Sequence, residues 1–254
     1  MEQRRDSATA YIILADGFET IEALTPLDVL RRCGVEVTTI SLNQTRAVRS
    51  SHGVTVEADA TMEEYLLKRN NAGSSTSASS IGSGTSTSNA GTSSSVGSST
   101  NGSTNIPNAG SSTGAGCSTT AGNAGTSSTA SSCLRQALIL PGGYPGYKNL
   151  CESAEVGALI TQFHKEGKLL CAICGAPTAL KANQICRGAA ITCHTSVKEE
   201  LTDYYSILSS AVVKYMNIIT GMGAGRSLEF AFAIAESLTS KEKVEEIKAK
   251  MEII

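Results

Sequence analysis

Residues 169–180 read LLCAICGAPTAL. Leu169 to Ile173 is an unbroken apolar run of strand length, and Cys174, Gly175, Ala176 and Pro177 then turn it abruptly into a helical stretch. A strand with no polar alternation is buried on both faces, as in a parallel sheet covered by helices. A small-residue turn from such a strand into a helix pushes the side chain at its apex out over the carboxyl edge of the sheet. That apex is Cys174.

The same rhythm repeats on either side. Upstream, Tyr11 to Ala15 is an apolar run that turns at Asp16-Gly17 into a helical pattern with Ile21, Leu24, Leu27 and Leu30 on one stripe, closed by Gly34. Val35 to Leu42 reads as a second strand, Val48 to Ser51 with Val54 to Ala58 as a hairpin about His52-Gly53, and Thr61 to Lys68 as a helix. Then Ala137 to Leu140 runs into Pro141-Gly142-Gly143, and a helix is expected over Ala154 to Lys165. Downstream of Cys174 come a helix over Pro177 to Asn183, a strand over Ala189 to Thr192 that ends at His194, and β-prone stretches around Val212 and Ile218. Helices over Ser227 to Leu238 and Lys241 to Met251 close the chain. Strands alternating with helices predict an α/β domain with a mostly parallel central sheet and helices on both faces. Ligands of such sheets bind at the carboxyl ends of the strands. Glu19 and Glu22, Gly142 and Gly143, Cys174, and His194 each follow a predicted strand, so four strand ends are expected to meet at one crevice.

Between the two halves lies a different kind of sequence. From residue 73 to 132, all but five of 60 residues are Ser, Gly, Thr, Ala or Asn. Such a segment has too little apolar surface to fold and is expected to be a disordered insertion within a single domain spanning 1–254. By topology it joins a helix to the next strand, so it is expected at the amino edge of the sheet, remote from Cys174. Loop-closure entropy grows only logarithmically, by about 0.6 kcal/mol per doubling, which makes the length tolerable.

The 21 basic and 23 acidic residues form no basic run or stripe, which argues against nucleic acid or an anionic membrane as partner. The polar start MEQRRDSATA and the brief apolar run after it fit neither a signal peptide nor a membrane span, so a cytoplasmic protein with reduced cysteines is expected. The cysteines and the three histidines show no tight ligand spacing, so no metal is expected. GMGAGRS from Gly221 lies too late in the chain to serve as a phosphate loop.

At the start of a helix, the Cys174 thiol is expected to be drawn toward thiolate by the helix dipole. Cys171 and Cys174 make a C-x-x-C, but three residues along a strand place the two side chains on opposite faces, which argues against a dithiol redox pair. His164, in the polar run HKEGK, and His52, at the hairpin tip, read as solvent-facing, whereas His194 is placed to exchange protons at the crevice. Carboxylates at Glu19 and Glu22 suit the first turn of a helix for the dipole alone. Glu22 is also set among Ile21, Ala23 and Leu24, so its carboxyl is expected to be partly desolvated, with a raised pKa. Backbone N–H groups near Gly143 and Gly175 are candidates to hold an oxyanion.

The segments ILADGFETIEALTPLDVLRRCGVEV, LILPGGYPGYKNL, AICGAPTAL, ITCHTSVKEEL and SLEFAFAIAESL, in that order, resemble the ThiJ/PfpI superfamily, in the branch that holds the Parkinson-disease-associated deglycase-like protein. The resemblance spans nearly the whole chain outside the insertion. It implies a flavodoxin-like fold, a homodimer, and a site in which Cys174 is the reactive thiol, Glu22 a protonated carboxyl bonded to it, and His194 a neighbour, with Gly143 and Gly175 supplying oxyanion-binding amides. It further implies chemistry without a cofactor on a reactive dicarbonyl or a glycated substrate: a glutathione-independent glyoxalase converting methylglyoxal to lactate, or a deglycase. The same family resemblance also implies the alternative of a peroxide sensor or redox-regulated chaperone using the same thiol. The residues after His194 lack the His-x-Glu arrangement of glutamine amidotransferases. Three positions depart from the branch: Gly175-Ala176 replaces Ala-Gly, His52 replaces an Arg, and Gly223-Ala224-Gly225 replaces Gly-Pro-Gly.

Overall fold

The computed structural model describes residues 8–74 and 135–253. The Ser/Gly/Thr-rich insertion therefore lies, apart from its first two residues, outside the described residues.

The described chain winds about a seven-stranded sheet. Its elements are β1 (Thr9–Leu14), α1 (Thr20–Arg32), β2 (Glu36–Ser41), β3 (Ala47–Arg49), β4 (Thr55–Glu57), β5 (Ala60–Thr61), α2 (Met62–Ser74), β6 (Gln136–Leu140), α3 (Gly146–Glu152), α4 (Ala154–Lys165), β7 (Leu169–Ile173), α5 (Pro177–Ala182), β8 (Ala190–Ile191), α6 (Lys198–Leu201), β9 (Ser206–Ile207), β10 (Val212–Tyr215), β11 (Ile218–Gly221), α7 (Ser227–Leu238) and α8 (Lys241–Lys250). The strand order is β10-β11-β7-β6-β1-β2-β5, and every pairing is parallel except β10 with β11 at one edge. This is the flavodoxin-like α/β architecture. From β1 the chain winds outward through α1 to β2, and from β6 it winds the other way to β7, so the topological switch point falls between β1 and β6.

Two hydrophobic clusters cover the two faces. Ala10, Ile12, Ala137, Ile139, Cys171 and Ile173 pack with Val29, Leu30, Phe230 and Ile234 of α1 and α7. Ile13, Leu138, Leu140, Leu170 and Ala172 pack with Ile160, Phe163 and Leu180 of α4 and α5. Alternate residues of β6 and β7 feed opposite clusters, which is why both strands read as continuous apolar runs. Cys171 is fully buried in the first cluster.

Several sequence expectations need correction. The buried face of α1 is Glu22, Ala23, Pro26, Val29 and Leu30, not the stripe from Ile21; Ile21 is 48% exposed. A spacing of three drifts off a face that repeats every 3.6 residues, and the carboxyl of Glu22 takes a place an apolar residue would normally hold. The strand before His194 is shorter than expected and lies outside the main sheet, paired with β9 through Ala190 and Ile191. Helix α2 continues past Lys68 to Ser74, and α3 was not expected at all. The hairpin about His52-Gly53 is present as β3 and β4.

Candidate active site

Cys174 sits directly after β7 with φ +65°, a left-handed conformation that a cysteine rarely adopts. Its own backbone enforces this. The Cys174 N–H donates to the Gly221 carbonyl at the end of β11, and the Cys174 carbonyl accepts from the His194 N–H at 2.9 Å. Strain pinned from both sides at a strand-to-helix turn is characteristic of a presented nucleophile.

Glu22 comes up from α1 on the other side of the switch point and is wholly buried. The Gly142 N–H donates to Glu22 Oε2 at 2.8 Å, and the Glu19 N–H donates to the Gly142 carbonyl at 2.9 Å. These two bonds tie the loop after β6 to the first turn of α1. The Cys174 thiol hydrogen-bonds to the same carboxyl, yet Oε1 stays buried without a well-directed partner. Desolvation by burial is the largest influence on Glu22; it overrides the bonds from Cys174 and Gly142 and raises the carboxyl to a pKa of about 7.

Gly142 must be glycine for this pair to exist. A Cβ there would lie 2.7 Å from both Cys174 Cβ and Glu22 Oε2, and 3.1 Å from Cys174 Sγ. At Gly143 a Cβ would meet the Glu19 amide nitrogen, and φ is +89°. The close approach of backbone to thiol brings the N–H groups of Gly175 and Gly143 into hydrogen bonding with Cys174, where they favour negative charge on sulfur. Both sequence-predicted oxyanion amides are thus at the thiol.

The direction of the thiol pKa differs from the sequence expectation. Burial, followed by the charge and hydrogen bond of Glu22, pushes Cys174 up to about 12 against the opposing pull of Gly175 and Gly143. Helix α5 is only six residues long, too short for its dipole to outweigh a buried carboxylate beside the thiol. Glu22 up and Cys174 up describe one pair that holds a single negative charge near neutral pH. When the proton is on Glu22, its charge no longer opposes the thiolate and the carboxyl becomes a donor toward sulfur.

Glu19 lies at the rim rather than beside the sulfur. Ser51 Oγ donates to its Oε2 at 3.3 Å, and His52 Nδ1 is 3.4 Å from the same oxygen. Its charge acts on Glu22 in the raising direction. His52, 71% exposed at the hairpin tip, is solvent-facing as expected, yet it also reaches the rim.

His194 is brought to the crevice by its backbone, and its ring is exposed. Nδ1 accepts from the Ser196 N–H at 3.2 Å and lies 2.8 Å from Ser196 Oγ. The ring therefore carries its proton on Nε2 when neutral. Cys193, just before it, is buried in the cluster with α4 and α5 and packs as an apolar residue.

Tyr147 was missed by sequence reasoning. A Cβ on Gly175 would lie 2.7 Å from Cδ1 of its ring, so the ring packs directly over the nucleophile turn. The signal was present as the Gly175-Ala176 departure: the small residue sits where an aromatic neighbour needs the room. Tyr144, 69% exposed, stands beyond it with ring centroids 6.3 Å apart.

Among the described residues no three His, Cys, Asp or Glu side chains gather to hold a metal ion, no disulfide joins the six described cysteines, and no helix is long and apolar enough to cross a membrane.

Comparison with known proteins adds to this geometry. Residues 8–72 and 122–237 match the DJ-1/PfpI family. Protein dj-1beta of Drosophila melanogaster is 30% identical over 242 residues, which cover 95% of each chain. Glutathione-independent glyoxalase DJR-1.2 of Caenorhabditis elegans is 40% identical over 107 residues, 42% of this chain and 56% of that protein. The crystal structure of Drosophila melanogaster DJ-1beta superposes with a TM-score of 0.69 at 28% identity, covering 98% of this chain and 99% of that one.

Proposed function

The chain belongs to the DJ-1/PfpI family, and from that premise we propose that it is a cofactor-independent, glutathione-independent glyoxalase or protein deglycase, acting on methylglyoxal or its early adducts through Cys174. The observation that carries this reading is the Glu22–Cys174 pair: a wholly buried carboxyl, raised to about 7, hydrogen-bonded to a strained thiol. A group titrating near neutrality can both give and take a proton at working pH. The likeness to a relative named as a glutathione-independent glyoxalase supports the same reaction class.

In the proposed reaction the Cys174 sulfur adds to the aldehyde carbon of methylglyoxal. Glu22, as carboxylate, accepts the thiol proton as the carbon–sulfur bond forms and passes it to the new alkoxide, held by the Gly143 and Gly175 N–H groups, to give the hemithioacetal. The same carboxylate then removes the hydrogen from the former aldehyde carbon as a proton, leaving an enediolate. It returns the proton to the neighbouring carbon while the hydroxyl proton of the former aldehyde carbon passes to the former ketone oxygen, which produces a thioester of lactate. Water then cleaves the thioester, releasing lactate and the thiol. Methylglyoxal plus water gives lactate, with no external oxidant or reductant. The hydrolytic step is assigned to His194, whose backbone N–H donates to the Cys174 carbonyl and whose ring is exposed. On a glycated side chain, the same hydrolysis would return the free protein group.

The second reading is a peroxide sensor or redox-regulated chaperone that uses the same thiol. A protonated Glu22 within hydrogen-bond reach of sulfur would donate to a sulfinate and stabilise it. We further propose a homodimer, for which the exposed Ile21 on α1 and Val54 beside the hairpin, 48% and 46% accessible, supply apolar surface.

The proposed route is tested by running the reaction in D₂O without glutathione. Lactate is the expected product, with deuterium at C2 to the extent that the proton on Glu22 exchanges with solvent before it is returned. Absence of lactate from fully reduced protein would shift the reading to the sensor, and undiminished turnover in a folded Glu22→Gln variant would remove Glu22 as the proton carrier, whereas protium at C2 would mean only that the proton is returned before the buried carboxyl exchanges with solvent.

A further inference from the structure

A second thiol lies at the opposite edge of the sheet from Cys174. His164 is in the last turn of α4, which leads through Gly167 to the start of β7, whereas Cys174 follows the end of that strand. Cys186 lies in the turn after α5, which runs back from Cys174 to the same amino edge. Cys186 Sγ is 3.7 Å from His164 Nε2. His164 Nδ1 is buried with no hydrogen-bond partner, so the sulfur is the ring's described polar contact. Cys186 is half-buried, and the Arg187 and Gly188 that follow it are exposed. The guanidinium of Arg187 stands 5.5 Å from the centroid of the Tyr204 ring beside this turn.

The two helices leading to the pair also frame a cavity. A groove of about 710 Å³ runs between α4 and α5, lined in part by Thr161, Gln162, Lys165 and Asn183. Thr161 and Lys165 flank His164 along α4, and Asn183 is three residues before Cys186. The groove adjoins the pair without including it and is large enough for a tripeptide. It offers amide, hydroxyl and ammonium groups to peptide carboxylates and carbonyls, and the carboxylates of Glu152 and Glu166 to a peptide ammonium.

We propose that Cys186 and His164 form a second nucleophilic site that exchanges with low-molecular-weight peptide disulfides, glutathione disulfide being the representative, while the α4–α5 groove receives the peptide. His164 Nε2 takes the proton from the Cys186 thiol, and the thiolate attacks one sulfur of the disulfide. The old sulfur–sulfur bond breaks as the Cys186–glutathione bond forms, and the leaving thiolate collects the proton from His164, releasing one glutathione. The incoming disulfide is the oxidant, and it is reduced by the two electrons that Cys186 loses in forming the mixed disulfide. This site is independent of the chemistry at Cys174.

The test uses the full chain carrying Cys174→Ser, reduced, desalted and incubated with oxidised glutathione, with adducts located by peptide mass spectrometry. Cys186 is expected to be the fastest-labelled position. Adding His164→Asn is expected to slow that labelling by about tenfold, with both oxidised glutathione and the small neutral hydroxyethyl disulfide. Lys165→Glu is expected to slow only the glutathione reaction. Unchanged thermal melting qualifies each variant, and Lys165→Glu, at an exposed position, supplies a second test should His164→Asn fail to fold. Labelling at Cys186 that is indifferent to His164, or an adduct confined to the other cysteines, would overturn the proposal.

Discussion

The Gly142 N–H donates to Glu22 Oε2 at 2.8 Å across 120 residues of sequence. One bond thereby joins the half of the chain before the low-complexity insertion to the half after it, at the switch point of the sheet. It also fixes the carboxyl against the thiol, because no side chain at residue 142 separates them.

Burial of that carboxyl sets a pH dependence of stability. Glu22 rises from an ordinary value of 4.5 to about 7 in the folded protein, so the folded state binds the proton more tightly than the unfolded state. Its contribution is fully present below about pH 4.5 and is lost as pH rises through about 7, amounting to about 3 kcal/mol at most. Glu22→Gln keeps an acceptor for Gly142 and cannot ionise. Denaturant unfolding between pH 4 and 8 is expected to show this fall in the parent and a flatter profile in the variant; parallel profiles would mean that Glu22 is not the titrating group.

Gly142→Ala places a methyl carbon 2.7 Å from Cys174 Cβ and Glu22 Oε2. Overpacking of this kind costs about 1–3 kcal/mol, and here the strain falls on the reacting pair. Stability is expected to drop by that amount and turnover to be nearly abolished. A variant with full turnover would show that the pair tolerates separation.

Gly175→Ala drives a methyl into the Tyr147 ring, 2.7 Å from Cδ1. The loss of stability is expected to be largely relieved in the Gly175→Ala, Tyr147→Ala double variant, with a coupling on the order of 1–3 kcal/mol. Additive effects in a double-mutant cycle would mean that the ring moves aside freely and does not explain Gly175-Ala176.

Much of this was legible in the sequence because the signals were local. The apolar run Leu169–Ile173 followed by a small-residue turn marked the central strand and its apex, and α4, β7 and α7 begin and end where the sequence places them. Glu22 stood out as a carboxyl among the apolar neighbours Ile21, Ala23 and Leu24, and it lies on the buried face of α1, which is not the stripe the spacing suggested. What was hidden depends on distance in the sequence. The place of β8 outside the main sheet follows from its pairing with Ser206 and Ile207, which no local pattern reports. The upward shift of Cys174 follows from burial and from Glu22, 152 positions earlier in the chain, whereas the helix-start argument saw only the favourable dipole. Tyr147 and the Cys186–His164 contact escaped because each needs two segments brought together by the fold.

The central claim is that a Cys174 nucleophile paired with Glu22 turns over a dicarbonyl without glutathione. Its most direct measurement is the rate of lactate formation from methylglyoxal by the reduced protein, beside folded Cys174→Ser and Glu22→Gln variants. The account predicts turnover in the parent, none above background in Cys174→Ser, and a loss of at least about a hundredfold in Glu22→Gln. Equal turnover in the parent and Cys174→Ser would contradict it.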